Sequence, residues 1–286
     1  MSNQFKIGNL QINRLGFGAM RITGNGVWQD PENKPECIKI LQTLKKLNVN
    51  FIDTADSYGP FVSEQLIFEN LYPYEGLLIA TKGGLVRTGP GLGYNTWVPV
   101  GRPEYLKQCV LMSLRRLNLK QIDLWQLHRI DPKVPQNEQF DAIAQMQKEG
   151  LIKYIGLSEV NLEEIINAQK YFEVKTIQNE YNLINRKSED VLGYCTKNNI
   201  GFIPWFPLAA GNLAKEGTIL DKIAVQKNCS YSQIALAWLL KKSQVILPIP
   251  GTSKLNHLKS NMEALNVQLS DEEFNLLDEL GKKNKN

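Results

Sequence analysis

The chain has 286 residues, of which 43% are hydrophobic and 22% are charged, and its formal net charge is +4. These proportions are typical of a globular protein and exclude a mostly disordered chain. The weak charge, with one lysine-rich run at residues 282–285, indicates no nucleic-acid partner. Four separated cysteines and two histidines predict neither a disulfide framework nor a metal site. Without a secretory signal in residues 1–20 or an apolar stretch of about 18 residues, we expect a cytoplasmic protein with no membrane partner.

Short apolar runs alternate with amphipathic segments along the chain. The predicted strands cover residues 15–19, 50–53, 77–81, 122–127, 154–158, 176–179, 201–205 and 245–248. The predicted helices cover residues 36–47, 63–71 with Ser63 as the cap, 103–117, 137–148, a segment capped by Asn161 and Glu164, 189–197, a segment from Ser230 to 240, 255–264 and a last segment after Ser270. Strands that alternate with helices in this way pair in parallel through right-handed crossovers.

Eight such units without a linker predict an α/β fold, a (β/α)8 TIM barrel that spans residues 1–286 as one domain. A doubly wound open sheet is the alternative. Residues 4–13 predict an N-terminal β-hairpin that turns at Gly8 and Asn9 and closes the bottom of the barrel. Residues 83–101 predict a long loop after the third strand, and the segment after Ser270 predicts an additional C-terminal helix.

Polar side chains stand at the ends of three neighbouring strands. Asp53, Lys82 and His128 each follow an apolar run, and Tyr58 comes five residues after Asp53. One buried aspartate is usually a structural cap, but four such groups at one mouth suggest chemistry. An ammonium beside a phenol should lower the phenol pKa, and a neutral histidine can donate to a carbonyl oxygen. Side chains cannot supply a hydride, so this set implies a cofactor.

The chain resembles the aldo-keto reductases over nearly its full length. The motifs that carry the resemblance are LGFGAM (15–20), FIDTADSYG (51–59), IATK (79–82), DLWQLH (123–128), YIGLSEVN (154–161), IQNEYN (177–182), PWFPLAAG (204–211) and IPGTSKLNHLKSNMEAL (249–265). The resemblance implies a (β/α)8 barrel that reduces an aldehyde or ketone with NADP(H). It also implies that Asp53, Tyr58, Lys82 and His128 form the catalytic tetrad, with Tyr58 as the general acid.

The resemblance further implies a set of cofactor contacts across the barrel mouth. Ser158 and Gln178 would bind the carboxamide, Trp205 would stack on the nicotinamide, and the remaining members, near the pyrophosphate and the 2′-phosphate, are Leu208, Gly211, Leu213, Gly251, Thr252, Ser253, Lys254 and Asn261. The chain departs from the family pattern at Glu159, Trp205, Phe206, His257 and Ser260, which leaves NAD(H) open as the cofactor. No Rossmann fingerprint is present, because Arg21 stands where the third glycine belongs.

The predicted substrate pocket combines aromatic side chains with one cation, namely Trp28, Phe61, Trp97, Arg129 and Phe206, although each could also cover the edge of the core. Such a pocket suits a flat aromatic aldehyde. The segments 71–82 and 205–208 resemble the bacterial branch that includes pyridoxal reductases, so pyridoxal is the first candidate substrate. The alternative function is a redox-sensing subunit that binds the nucleotide with slow chemistry. The oligomeric state is left open.

Overall fold

The computed structural model describes residues 2–93, 96–208 and 215–283. The strands are β1 Gln4–Ile7, β2 Leu10–Asn13, β3 Phe17–Gly18, β4 Phe51–Asp53, β5 Leu78–Gly83, β6 Leu85–Arg87, β7 Trp97–Pro99, β8 Ile122–Leu127, β9 Ile152–Ser158, β10 Val174–Gln178 and β11 Gly201–Phe202. The helices are α1 Lys34–Thr43, α2 Val62–Leu71, α3 Pro103–Leu117, α4 Gln136–Lys148, α5 Leu162–Ala168, α6 Glu189–Asn198, α7 Ile219–Lys227, α8 Tyr231–Lys242, α9 Leu255–Glu263 and α10 Asp271–Lys283.

The main sheet is parallel and closes on itself. Its strand order is β3, β4, β5, β8, β9, β10 and β11. Residues 245–248 take the eighth place: Phe202 pairs in parallel with Ile246, and the Gly16 N–H donates to the Pro248 oxygen on the far side at 2.9 Å. An open doubly wound sheet would leave these two edges unpaired. The predicted (β/α)8 barrel is therefore confirmed.

Local sequence signals set most helix ends. The two capping boxes, Asn161 with Glu164 and Ser230 with Gln233, are both formed at the starts of α5 and α8. The predicted cap Ser63 is wrong, because α2 starts at Val62 and the Ser63 hydroxyl instead donates to the Ala19 oxygen, 3.1 Å away. That contact joins α2 to the segment after β3, a tertiary bond that no local pattern reveals.

The N-terminal hairpin covers the bottom of the barrel. Strands β1 and β2 pair antiparallel around Gly8, whose φ of 59° favours glycine. The Tyr154 hydroxyl at the start of β9 donates to the Asn9 side-chain oxygen at 2.7 Å and accepts from the Asn9 N–H at 3.0 Å. Phe5 and Ile7 of β1 are buried in the core below the strands. The predicted hairpin and the position assigned to it are confirmed.

Two segments differ from the sequence prediction. The predicted loop 83–101 contains an antiparallel ribbon, in which Leu85 pairs with Pro99 and Arg87 with Trp97. Helix α7 was not predicted, although Thr218 accepts from the Asp221 N–H and caps its start. A threonine three residues before an aspartate was the available signal. The predicted C-terminal helix is present as α10. Among the described residues, no helix is long and apolar enough to cross a membrane.

Candidate active site

An ion pair lies at the mouth of the barrel, where the parallel strands end. Lys82 of β5 donates from Nζ to Asp53 Oδ2 of the neighbouring β4 at 2.7 Å and to the Thr54 oxygen at 2.7 Å. Both side chains are almost fully buried. An isolated buried charge would be costly, so each ion needs the other and further hydrogen bonds.

Two amides complete the surroundings of the aspartate. Gln126 of β8 and Gln178 of β10 both donate from Nε2 to Asp53 Oδ1, at 3.1 and 2.9 Å. Gln178 is a predicted carboxamide contact, and its Nε2 also holds the Asp53 carboxylate. Gln126 was not predicted. A polar residue inside an otherwise apolar strand was the signal that could have identified it.

Tyr58 joins the pair from the loop after β4. Its hydroxyl accepts a hydrogen bond from Lys82 Nζ at 3.2 Å, and the ammonium also lies 4.9 Å from the ring centroid. The ring of His128 crosses the Tyr58 ring at 5.9 Å between centroids, nearly at right angles. The structure thus brings together all four residues of the predicted tetrad.

Burial decides the protonation of these groups. It raises the pKa of Tyr58 above its ordinary value of 10.0, and the Lys82 charge offsets this only in part. The expectation of an unusually acidic phenol is therefore wrong in sign. Burial lowers the pKa of His128 well below 6.5, and the charges of Lys82 and Arg129 lower it further. At neutral pH the tyrosine is protonated and the histidine is neutral, so both can donate to an oxygen.

The Lys82 ammonium stays charged in spite of its burial. Desolvation by itself lowers the pKa of Lys82, but the negative charge of Asp53 and the hydrogen bonds to Asp53 and Tyr58 outweigh it, so the pKa lies above the ordinary value. A permanent cation beside the phenol stabilises a phenolate whenever the Tyr58 proton leaves.

The predicted cofactor residues occupy several places in the fold. Ser158 ends β9 and accepts from Arg129 Nη1 at 2.9 Å, and Trp205 donates from Nε1 to Glu159 Oε1 at 2.6 Å. Asn261 and Thr252 are buried at α9, and Leu208 packs against the core. Gly211 and Leu213 lie outside the described residues.

A cavity of about 280 Å³ opens beside the start of α9 and is lined by Arg21, Ser253 and Lys254, among others. At Gly251, two residues before Ser253, a Cβ atom would come 2.5 Å from the Gly18 oxygen, so only glycine fits the close approach of the two backbones. Glu36 of α1 was not predicted, and its carboxylate accepts from the Leu255 N–H at 3.0 Å.

The predicted pocket residues separate into two groups. Trp97 lies 6.3 Å from both the Tyr58 and the His128 rings, which places it inside the mouth. Phe206 is 52% exposed at the rim beside Trp205. Phe61 instead stacks under Arg116 of α3 at 4.2 Å and is 46% exposed, on the outer helix layer. These contacts do not support its predicted place in the pocket.

Trp28 and Arg129 complete that set. Trp28 pairs with Gly59 through an isolated bridge and lies 5.7 Å from the Arg87 guanidinium. Arg129 donates to the His128 oxygen at 2.6 Å and to Ser158. Arg87 was not predicted. A lone arginine in a glycine-rich loop carries no sequence signal for the contacts that it makes.

Comparison with known proteins agrees with the geometry. The chain is 60% identical over 277 residues to an uncharacterised oxidoreductase of Schizosaccharomyces pombe, covering 97% of this chain and 89% of that protein. It is 38% identical over 284 residues to pyridoxine 4-dehydrogenase of Escherichia coli, covering 97% and 98%. The crystal structure of an aldo/keto reductase from Klebsiella pneumoniae in complex with NADP and acetate matches with a TM-score of 0.81 and 22% identity, covering 98% and 95% of the two chains. The family model of the aldo/keto reductases matches residues 14–282, and this chain belongs to the aldo/keto reductase family.

Proposed function

We propose that this protein reduces an aldehyde or ketone to an alcohol with NADP(H), and that pyridoxal and pyridoxine are the first candidate substrate pair. The observation that carries the proposal is the Lys82 ammonium, which donates to both Asp53 and the Tyr58 hydroxyl in one buried cluster. The 38% identity to a pyridoxine 4-dehydrogenase supports the choice of substrate.

The tetrad would act as a proton donor to a bound carbonyl. Tyr58 and neutral His128 donate hydrogen bonds to the carbonyl oxygen, and Tyr58 then gives up its proton to that oxygen. Lys82 stabilises the phenolate that remains, and Asp53 keeps Lys82 charged and oriented. When bound, NADPH supplies the hydride that the carbonyl carbon takes up. Hydride and proton together make the alcohol, and Tyr58 regains its proton from water.

The mouth residues fit a phosphorylated dinucleotide. Arg21 and Lys254 bring positive charge to the cavity beside α9, and the N-terminus of α9 favours an anion there. The negative charge of Glu36, which also lines this cavity, partly offsets the two cations, and its carboxylate accepts from the Leu255 N–H. The residues that would hold the cofactor are Ser158, Gln178, Trp205, Leu208, Gly251, Thr252, Ser253, Lys254 and Asn261. The Klebsiella pneumoniae reductase solved in complex with NADP has the same fold as this chain.

The substrate side of the mouth favours a planar ring. Trp97 stands beside Tyr58 and His128, and Arg129 adds a cation next to Ser158. An aromatic wall with a nearby cation suits pyridoxal, which is flat and carries polar substituents.

The test is the loss of NADPH absorbance with a panel of carbonyls that includes pyridoxal, followed by the variant Tyr58→Phe. We expect turnover of pyridoxal, and a fall of kcat by about 10²- to 10⁴-fold in the variant with the NADPH dissociation constant unchanged. Near-full activity of the variant would contradict Tyr58 as the acid. Tight NADPH binding without turnover of any carbonyl would favour the redox-sensing subunit, and tighter binding of NADH than NADPH would contradict the phosphate assignment.

A further inference from the structure

Arg87, the last residue of β6, lies buried between two loops at the barrel mouth with 8% of its surface exposed. Within the described residues, the partners of its guanidinium are backbone oxygens: Nη1 donates to Val27 at 2.7 Å, Nε to Thr96 at 3.1 Å, and Nη2 to Gly26 at 2.8 Å. Nη2 also reaches the oxygens of Gly89 and Gly91 at 3.0 and 2.9 Å. One side chain thus joins the loop after β3 to both ends of the loop between β6 and β7.

The loop after β3 needs such support because its backbone is strained. Val27 and Gln29 have φ values of 57° and 62°, in the left-handed region that branched and long side chains rarely adopt. Strain of this kind persists only where surrounding contacts hold it. Two backbone bonds with Gly59 hold part of the loop, since the Gln29 N–H donates to the Gly59 oxygen at 2.6 Å and the Gly59 N–H to the Val27 oxygen at 3.3 Å. The Arg87 hydrogen bonds to Val27 and Gly26 add to this, as does the Gly91 N–H, which donates to the Gly26 oxygen at 3.1 Å.

The same guanidinium stacks on the aromatic wall. It lies 3.8 Å from the Trp97 ring centroid, and the Trp97 indole N–H donates to the Gly91 oxygen that Arg87 also binds. The Trp97 ring in turn lies 6.3 Å from the rings of Tyr58 and His128. One chain of contacts from Arg87 to the proton donor therefore passes through the Trp97 indole.

We propose that Arg87 is a positioning residue that fixes the Trp97 indole beside Tyr58 and His128, and so makes the site selective for planar aromatic carbonyls over small aliphatic ones. This inference rests on the proposed reductase function. A wall that is held before binding costs no ordering entropy when a ring packs against it, whereas a small aliphatic carbonyl does not use the wall.

The role requires an arginine. The planar guanidinium presents several donors in a fixed fork and stacks on a ring at the same time, whereas a lysine ammonium is a compact and strongly hydrated charge. Methionine at this position fills similar space but leaves the oxygens of Gly26, Val27 and Gly91 without this donor.

The experiment compares kcat/KM for pyridoxal with kcat/KM for propanal, with NADPH, in wild type, Arg87→Met, Arg87→Lys and Trp97→Phe. We expect the pyridoxal-to-propanal ratio to fall about tenfold in both Arg87 variants, mainly through KM for pyridoxal, with kcat for propanal nearly unchanged. Arg115→Met, an exposed arginine of α3, is the matched control and should keep the wild-type ratio. Amide hydrogen exchange at Val27 and Gly91 should be faster in both Arg87 variants and unchanged in Trp97→Phe and Arg115→Met.

Each outcome has a distinct meaning. If the wild type reduces carbonyls and Arg87→Met keeps both its selectivity and its slow exchange, the role of Arg87 is overturned and the reductase function stands. If the wild type reduces no carbonyl, the proposed function fails and the selectivity role fails with it, while the exchange still shows whether Arg87 holds the loops. If Arg87→Met loses its cooperative melting transition, the pyridoxal-to-propanal ratio is read from Arg87→Lys and Trp97→Phe. A lower ratio in both supports the role of Arg87, and a wild-type ratio in both overturns it.

Discussion

The two ends of the barrel each contain a buried arginine that donates to backbone oxygens, but the two arginines hold different kinds of structure. At the bottom, Arg14 donates to the oxygens of Ile246 at 3.1 Å and Leu240 at 3.0 Å and also to Ser243, and burial lowers its pKa to about 10. At the mouth, Arg87 ties loops that surround polar and charged side chains. Arg14 thus stabilises a seam of the barrel, whereas Arg87 shapes a site.

The backbone shows the same difference. In the part of the chain that the structure describes, the left-handed residues other than glycine that follow helices are asparagines: Asn118, Asn199 and Asn228 after α3, α6 and α7, and Asn48 after a short 3-10 helix at Lys45–Leu47. Those in the loops that follow strands are Val27, Gln29, Phe61, Glu159 and Phe206. Asparagine adopts this region at low cost, whereas the other types are strained. The turns after the helices therefore have little backbone strain. The loops after the strands, which form the mouth, contain strained residues close to the proposed catalytic site.

The largest expected effect comes from replacing one buried cation at each end of the barrel, Lys82 at the mouth and Arg14 at the bottom. Lys82→Met leaves Asp53 buried without its ammonium, so we expect a loss of about 3 kcal/mol in the free energy of unfolding and of at least about 100-fold in kcat. Arg14→Met should also cost about 3 kcal/mol, since several carbonyl groups lose their donor, but leave kcat of the folded protein unchanged. Urea unfolding and NADPH oxidation measure both. A comparable loss of kcat in Arg14→Met would remove the distinction.

The pH dependence of carbonyl reduction should follow the pKa values of the two buried proton donors, Tyr58 and His128. Tyr58 must be protonated to act as the acid, and its pKa is raised, so activity is present below that pKa and falls as pH rises through it. His128 stays neutral because its pKa lies well below 6.5. We therefore expect a constant kcat from about pH 6 to 9 and a decline of about tenfold per pH unit only above about pH 10. A falling limb near pH 7 in stopped-flow traces would contradict this assignment.

A third prediction concerns the buried carboxyl of Asp56, close to Tyr58 in sequence. Burial and the Glu64 charge raise its pKa to about 7, although Cys109 donates a hydrogen bond to it. Between about pH 4 and 7 the folded state holds a proton that the unfolded state has lost, so stability falls as pH rises through this window. Asp56→Asn should therefore gain about 3 kcal/mol relative to wild type between pH 4.5 and pH 7.5. Urea titrations at both values measure it, with exposed Asp141→Asn as the control that should show no such gain.

The smallest effect should come from the bottom hairpin. Tyr154→Phe removes the hydroxyl that bonds Asn9 twice, and because the contact is exposed we expect a loss of about 1 kcal/mol in the free energy of unfolding. The kinetic constants should not change. A shift of several-fold in KM for pyridoxal would mean that the bottom of the barrel influences the mouth.

Local sequence patterns were sufficient to predict the barrel fold and the polar residues at the ends of its strands. The period of apolar residues, the capping boxes at Asn161 and Ser230, and the parallel strands that they imply place Asp53, Lys82 and His128 at one mouth. These features depend on neighbours in the chain, so the sequence alone predicts them. The ribbon within 83–101 and the missed helix α7 show the limit, because loop conformation depends on weak signals.

Only the tertiary structure decided the energetics and the partners. Desolvation depends on what surrounds a group in space, so the raised pKa of Tyr58 could not be read from its nearness to a lysine. The same holds for Gln178, which binds Asp53 across 125 residues, and for Arg87, which binds Val27 in a loop 60 residues earlier. The sequence determines which chemical groups face the mouth, and packing determines their charge, their hydrogen bonds and the wall beside them.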